Sequence, residues 1–322
     1  MSLAVSLIAP SSFTAQDAVD AGIRGLESLG VEVRYDEPLQ RPQRYLAGSR
    51  EERLARLHAA YDDPDTQAVW AVRGGYGAAQ LIDGIDWALL AQHPKPLIGF
   101  SDVTALLHHW HLHGLPAIHG PVVKAAGKLF DAPEQEREVT RCQFNDTLAL
   151  IQGATTLDYP LTPLTPPTPS ITPAPHSQQP RQPSTLPSTQ QSIQQSIKQG
   201  PVVGGNLITL ASMMGTPVAF SAPPGALVIL EDVGEPHYRL ERALWQLVHG
   251  GALSRAAAVC LGTFEGCSPY GDTRLEDIVA ETLAPLGLPL FGGLPIGHGL
   301  HNRPWRYGAT GRIEGDRLVI AG

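Results

Sequence analysis

The chain is expected to be an α/β protein in two parts: an N-terminal parallel sheet with flanking helices, then a smaller, strand-rich C-terminal domain. Three observations predict this. Across the first 150 residues, short apolar runs alternate with amphipathic stretches, an order that lays strands in parallel and covers both sheet faces with helices. Residues 160–200 differ sharply: of these 41, ten are proline and eight glutamine, and only Arg181 and Lys198 are charged. Such a stretch cannot bury enough apolar surface to offset its ordering entropy, so it is expected as a flexible linker. Beyond it, apolar runs resume. The expected division is 1–155, 156–200 and 201–322.

The elements follow in order. Val5–Ala9 is an apolar first strand. Thr14–Leu29 is an amphipathic helix with Ala15, Val19, Ile23 and Leu26 on one stripe. Val31–Tyr35 alternates as a strand. Ser49 and Glu52 form a capping box ahead of Leu54 and Leu57, opening a second helix. Ala68–Val72 is a strand running into Arg73-Gly74-Gly75-Tyr76-Gly77, and Leu97–Phe100 a strand running into a helix with Val103, Leu106, Leu107 and Trp110 at helical spacing. In the second part, Ala226–Leu230 is a strand ending in Glu231-Asp232, Tyr238–His249 a helix, and Ala256–Leu261 and Pro289–Leu294 further strands. Arg306–Ile320 reads as a hairpin turning at Glu314-Gly315-Asp316.

Composition narrows the function. The chain has 322 residues with 31 acidic against 23 basic, a net charge of −8. No dense Lys/Arg block appears, which argues against nucleic acid and anionic membrane as partners. The N-terminus lacks a basic region before its short apolar run and reads as a strand, not a signal peptide; no later stretch reaches the length of a membrane span. Cys142, Cys260 and Cys267 are odd in number and lack C-x-x-C spacing, which argues against a disulfide framework and fits a reducing cytoplasm.

Chemistry collects at strand ends. Ser101 stands between a strand's carboxyl end and a helix's amino end, where its hydroxyl leaves the sheet edge among free backbone N–H groups. That suits a nucleophile with a built-in oxyanion hole, though the fifth position of G-x-S-x-G is Val103 here. It equally suits a helix cap, with Asp102 at the positive end. Glu231 and His298 also follow buried strands, and a serine needs an imidazole base that in turn needs a carboxylate. Spacing alone does not bring the three together.

Gly74-Gly75-Tyr76-Gly77, Gly99-Phe100-Ser101-Asp102-Val103-Thr104, Gly204-Gly205-Asn206-Leu207, Leu230-Glu231-Asp232-Val233-Gly234-Glu235 with Tyr238-Arg239-Leu240-Glu241-Arg242, and Pro295-Ile296-Gly297-His298-Gly299 together resemble the LD-carboxypeptidase family of serine peptidases, in the family's order. The resemblance implies Ser101 as nucleophile, His298 as general base, Glu231 as its carboxylate and the N–H groups of Gly75 and Asp102 as oxyanion hole. Glu235, in the same motif, is the rival carboxylate. It further implies release of terminal D-alanine from murein tetrapeptides in cytoplasmic cell-wall recycling, by a homodimer without metal or other cofactor. A branch of the family instead hydrolyses peptide-nucleotide antibiotics of the microcin C type. The linker is longer than the family pattern leads one to expect.

Other readings compete. His108, His109, His111, His113 and His119 invite a zinc site and a metallohydrolase, but no Glu stands as in H-E-x-x-H. Gly74–Gly77 lacks both the spacing and the Lys of a phosphate loop. Arg73 and Arg303 are candidates for the substrate carboxylate; Tyr76, Asn206 and Trp305 are candidates for the pocket. A non-catalytic peptide-binding protein of the same fold is a further alternative.

Overall fold

In the computed structural model, residues 3–154, 156–164 and 198–321 are described. The first part runs β1 (Leu3–Ile8), α1 (Gln16–Ser28), β2 (Val31–Arg34), α2 (Arg50–Asp62), β3 (Ala68–Ala71), α3 (Trp87–Gln92), β4 (Leu97–Gly99), α4 (Thr104–Leu112), β5 (Ala117–His119), α5 (Lys128–Asp131) and α6 (Glu134–Ile151). A 3-10 turn, Ser101–Val103, joins β4 to α4. The second runs β6 (Thr156–Pro160), β7 (Thr162–Leu164), β8 (Lys198–Asn206), α7 (Leu207–Ser212), β9 (Leu227–Val233), α8 (His237–His249), β10 (Ala258–Glu265), α9 (Leu275–Leu283), β11 (Leu290–Gly292), β12 (Trp305–Arg306), β13 (Thr310–Glu314) and β14 (Arg317–Ala321).

The first sheet has the order β12-β5-β4-β3-β1-β2, and β1 to β5 are parallel. Alternation along its strands divides the core. Val5, Leu7, Trp70 and Ile98 pack with Val19 and Leu26 of α1 and Phe144 of α6, while Ile8, Val69 and Leu97 pack with Leu57 of α2 and Leu106 of α4. The second of these clusters continues into the other half, where it includes Val202, Leu227 and Val259. A shared core fixes the two halves against each other.

The second sheet has the order β6-β14-β13-β8-β9-β10-β11-β7, with β8 to β11 parallel at its centre and antiparallel strands at both flanks. The mixed α/β architecture is the one expected, and β13 and β14 form the expected terminal hairpin. Two placements differ from expectation. Residues 156–164, assigned to the linker, form β6 and β7, the two edge strands of the second sheet; edges are where Pro160 and Pro163 are tolerated, since proline donates no ladder hydrogen bond. Trp305–Arg306 leaves the second half altogether and pairs antiparallel with β5. Residues 165–197 of the expected linker lie outside the described residues.

Candidate active site

Ser101 follows the extended Phe100 and takes φ +63°, the left-handed region that costs a non-glycine residue about 1–2 kcal/mol. Backbone strain of this kind, at a strand-to-helix turn, aims the side chain out of the sheet edge. Its hydroxyl faces His298 Nε2 and not the turns of the following helix. The turn is possible because residue 74 is glycine: a Cβ there would stand 2.8 Å from Ser101 Cβ and 3.2 Å from the Asp102 nitrogen. Asp102, buried, turns its carboxylate back to accept the Ala78 N–H at 2.9 Å. Burial pushes its pKa up, while hydrogen bonds and the Arg53 charge oppose that rise. Arg53, also buried, donates to the carbonyls of Pro10 (2.5 Å) and Gly77 (2.8 Å). These contacts clamp the loop containing Gly75 beside Ser101.

The second half supplies the rest. Glu231, fully buried on β9, accepts from His298 Nδ1 at 2.7 Å, and His298 Nε2 lies 3.0 Å from Ser101 Oγ. A carboxylate oxygen only accepts, so the proton sits on Nδ1 and leaves Nε2 bare toward the serine hydroxyl. The imidazole rests against the Phe100 ring at 4.7 Å and keeps 17 % of its side chain exposed. Gly297, at φ +131°, allows the approach: a Cβ there would meet Glu231 Oε2 at 2.8 Å. Glu235 is elsewhere, paired with Arg239 at 3.3 Å on the surface. Asp232, next to Glu231 but on the opposite face of the strand, accepts from the Ile208 N–H (2.9 Å) and Asn206 Nδ2 (3.1 Å). Burial lifts its pKa to about 6.

The expected pocket residues divide. Arg73 lies just past β3, before Gly74, donates to the Phe13 carbonyl at 3.0 Å and enters no ion pair among the described residues. Tyr76 is exposed and meets Tyr45 edge-on at 5.5 Å. Asn206 is committed to structure: its Oδ1 caps α7 through Thr209 and its amide faces Asp232. Arg303 is likewise engaged, on Asp146 (3.1 Å) and the Asp158 carbonyl (2.8 Å). Trp305 is fully buried.

The histidines disperse. Burial drives His108 down to about 3, His109 faces the Val218 carbonyl, and His113 stacks on Trp87 at 3.6 Å. Among the described residues no three His, Cys, Asp or Glu side chains group to hold a metal. Sequence reasoning missed Arg53, Thr263 and Asn302, which hold the loops of the site, and read His119 only as a possible metal ligand. For Arg53 a signal existed, a charge at helical spacing with Leu57, Ala60 and Tyr61 on the buried stripe of α2.

A hydroxyl, an imidazole and a buried carboxylate in one hydrogen-bonded line, at the carboxyl edge of a parallel sheet, form the arrangement that serine hydrolases use. Comparison places the chain more closely. It belongs to the LD-carboxypeptidase family: residues 5–120 match the family's N-terminal domain and 199–313 its C-terminal domain. It is 42% identical over 318 residues to the murein tetrapeptide carboxypeptidase of Pseudomonas aeruginosa, covering 98% of this chain and 94% of that one. It is 31% identical to a probable murein peptide carboxypeptidase of Bacillus subtilis, covering 91% and 83%. In fold it matches a muramoyltetrapeptide carboxypeptidase from Oxalobacter formigenes (TM-score 0.75, 23% identity, 99% and 98% covered). It also matches the microcin C7 self-immunity protein (TM-score 0.78, 19% identity, 100% and 96% covered). The chain is thus a peptidase of a serine hydrolase family. Among the described residues no helix is long and apolar enough to cross a membrane.

Proposed function

We propose that this peptidase releases the terminal D-alanine of murein tetrapeptide through an acyl-enzyme on Ser101, as part of peptidoglycan recycling. The observation that carries the reading is the unbroken line Glu231–His298–Ser101, with spacings of 2.7 and 3.0 Å, in a chain 42% identical to a murein tetrapeptide carboxypeptidase. Ser101 Oγ attacks the scissile carbonyl as its proton passes to His298 Nε2. The N–H groups of Gly75 and Asp102 receive the oxyanion, and Glu231 stabilises the imidazolium. Collapse breaks the C–N bond, with His298 returning the proton to the D-alanine amine. His298 then takes a proton from water as the water attacks the ester, and returns it to Ser101 Oγ as the acyl C–O bond breaks, freeing the tripeptide and restoring the Ser101 hydroxyl. Arg73 is assigned to the substrate's terminal carboxylate, a role a guanidinium suits through paired, charge-assisted hydrogen bonds.

A second reading, hydrolysis of a peptidyl nucleotide, is favoured by one feature. The exposed Tyr45–Tyr76 pair borders Gly75 and offers faces on which a base could stack. Comparing kcat/KM on murein tetrapeptide and on a peptidyl-adenylate analogue tests the choice. Higher kcat/KM on the tetrapeptide, with tripeptide and D-alanine as products, is expected; a preference for the nucleotide would overturn the assignment.

A further inference from the structure

Behind Glu231, His298 and Ser101 lies a second set of buried polar side chains, contributed by both halves. His298 belongs to a loop closed where the Arg303 N–H donates to the Pro295 carbonyl at 2.9 Å. From its own half the loop is held by Thr263, whose N–H donates to the Ile296 carbonyl (2.8 Å) and whose hydroxyl accepts the Gly299 N–H (3.3 Å). From inside, Asn302 Oδ1 accepts the N–H of Gly297, the residue before His298, at 3.1 Å. The same oxygen lies 3.3 Å from Nε2 of His119, a fully buried residue of the first sheet.

The chemistry of this contact is determined. An amide oxygen only accepts, so His119 carries its proton on Nε2; turning the Asn302 amide over would set its NH2 against the Gly297 N–H, donor against donor. His119 is itself immobilised. It pairs in register with Gly99, two residues before Ser101, and on its other side with Trp305, whose ring stacks on its own at 5.2 Å and 15°. Phe100 stands between the two imidazoles, 5.9 Å from His119 and 4.7 Å from His298.

We propose that His119 and Asn302 are positioning residues, which tether the loop of His298 to the sheet of Ser101 and so set base against nucleophile before substrate arrives. The inference rests on His298 being the general base. It acts through the Gly297 backbone, and neither residue touches substrate.

The test measures kcat and KM on murein tetrapeptide for the wild type, His119→Phe, His119→Gln and Asn302→Ala. Phenylalanine keeps a ring against Trp305 but lacks the donor; glutamine restores an N–H near the position of Nε2. Displacing the base by a fraction of an ångström to an ångström is expected to lower kcat about ten- to a hundredfold in His119→Phe and Asn302→Ala, with KM within about twofold. His119→Gln is expected to recover most of the loss. Unchanged kcat in folded His119→Phe and Asn302→Ala, or a fall that merely follows Tm and that glutamine does not rescue, would overturn the proposal.

A readout independent of substrate accompanies it: the low-field proton resonance of His298 Nδ1–H held by Glu231. Broadening or displacement of that resonance in Asn302→Ala supports the tether, and an unchanged signal contradicts it. A wild type that leaves the tetrapeptide intact but shows the resonance would refute the substrate reading, and the Asn302→Ala spectrum would still decide the tether. A wild type lacking the resonance would refute both.

Discussion

Two strand-end turns meet at the site, and they aim their side chains by different means. On the Ser101 side the aiming is local: within Gly99–Thr104 the backbone is bent to φ +63° at Ser101, and Gly74 stands aside to make room. On the other side His298 belongs to a loop held by Thr263 from β10, by Asn302 from within the loop, and through Asn302 by His119 of the first sheet. Strain points one side chain; tethers point the other. A backbone conformation is written in neighbouring residues, whereas a tether is written in residues far apart in the chain. Damage should therefore differ in kind. Changes near Ser101 should act through sterics, and changes near His298 through lost hydrogen bonds.

The largest expected effect is on the tethered side. His298→Ala removes the proton acceptor and should lower kcat about 10⁴- to 10⁶-fold with KM little altered, read in steady-state kinetics. Next, Glu231→Gln should lose about 10³- to 10⁴-fold in kcat by misdirecting the imidazole proton, while Glu235→Gln on the surface should retain near wild-type rate. Equal losses in the two would remove Glu231 from its role. On the strained side, Gly74→Ala forces a Cβ to within 2.8 Å of Ser101 Cβ, and kcat should fall about ten- to a hundredfold. An unaffected Gly74→Ala enzyme would show that the serine turn tolerates displacement.

Two smaller effects sharpen the contrast. Arg73→Ala should raise KM about tenfold through a lost charge-assisted contact. Arg303→Ala should leave KM alone and cost about 1 kcal/mol of stability, since its guanidinium is engaged on Asp146; thermal melts and kinetics on both variants separate these outcomes. The buried histidines also make stability depend on pH. Burial holds His119 down to about 4, below its unfolded value near 6.5, so the unfolded chain binds the proton first. Its contribution is fully present above pH 6.5 and is lost as pH falls toward 4, by about 3 kcal/mol if complete. Urea melts at neutral pH and at pH near 5 should show this decline, and His119→Gln should reduce it, leaving the part due to His108 and its neighbours.

How legible the molecule was follows the same division. The parallel order of β1 to β5 came from alternation, and the Ser49–Glu52 capping box forms as its spacing predicts. The serine turn was legible as a Gly-Phe-Ser step after an apolar run, though a helix cap remained open until the hydroxyl was seen facing His298 instead. β6, β7 and β12 were not legible, because short edge strands carry little pattern of their own and are specified by partners such as β14, β11 and β5. The partners of Asn206 and Arg303 were hidden for a related reason. A polar side chain beside a motif looks available until its partner, Asp232 or Asp146, arrives from elsewhere in the chain. Asn302 and His119, 183 residues apart, had no signal linking them.

The proposal turns on Ser101 as the nucleophile, aimed by its own strained turn. The most direct test incubates wild type and Ser101→Ala with murein tetrapeptide and follows tripeptide and free D-alanine by mass spectrometry. Both products are expected from the wild type and none above background from Ser101→Ala, with the variant folded and melting no lower than the wild type. Tripeptide released by Ser101→Ala at a rate near that of the wild type would contradict it.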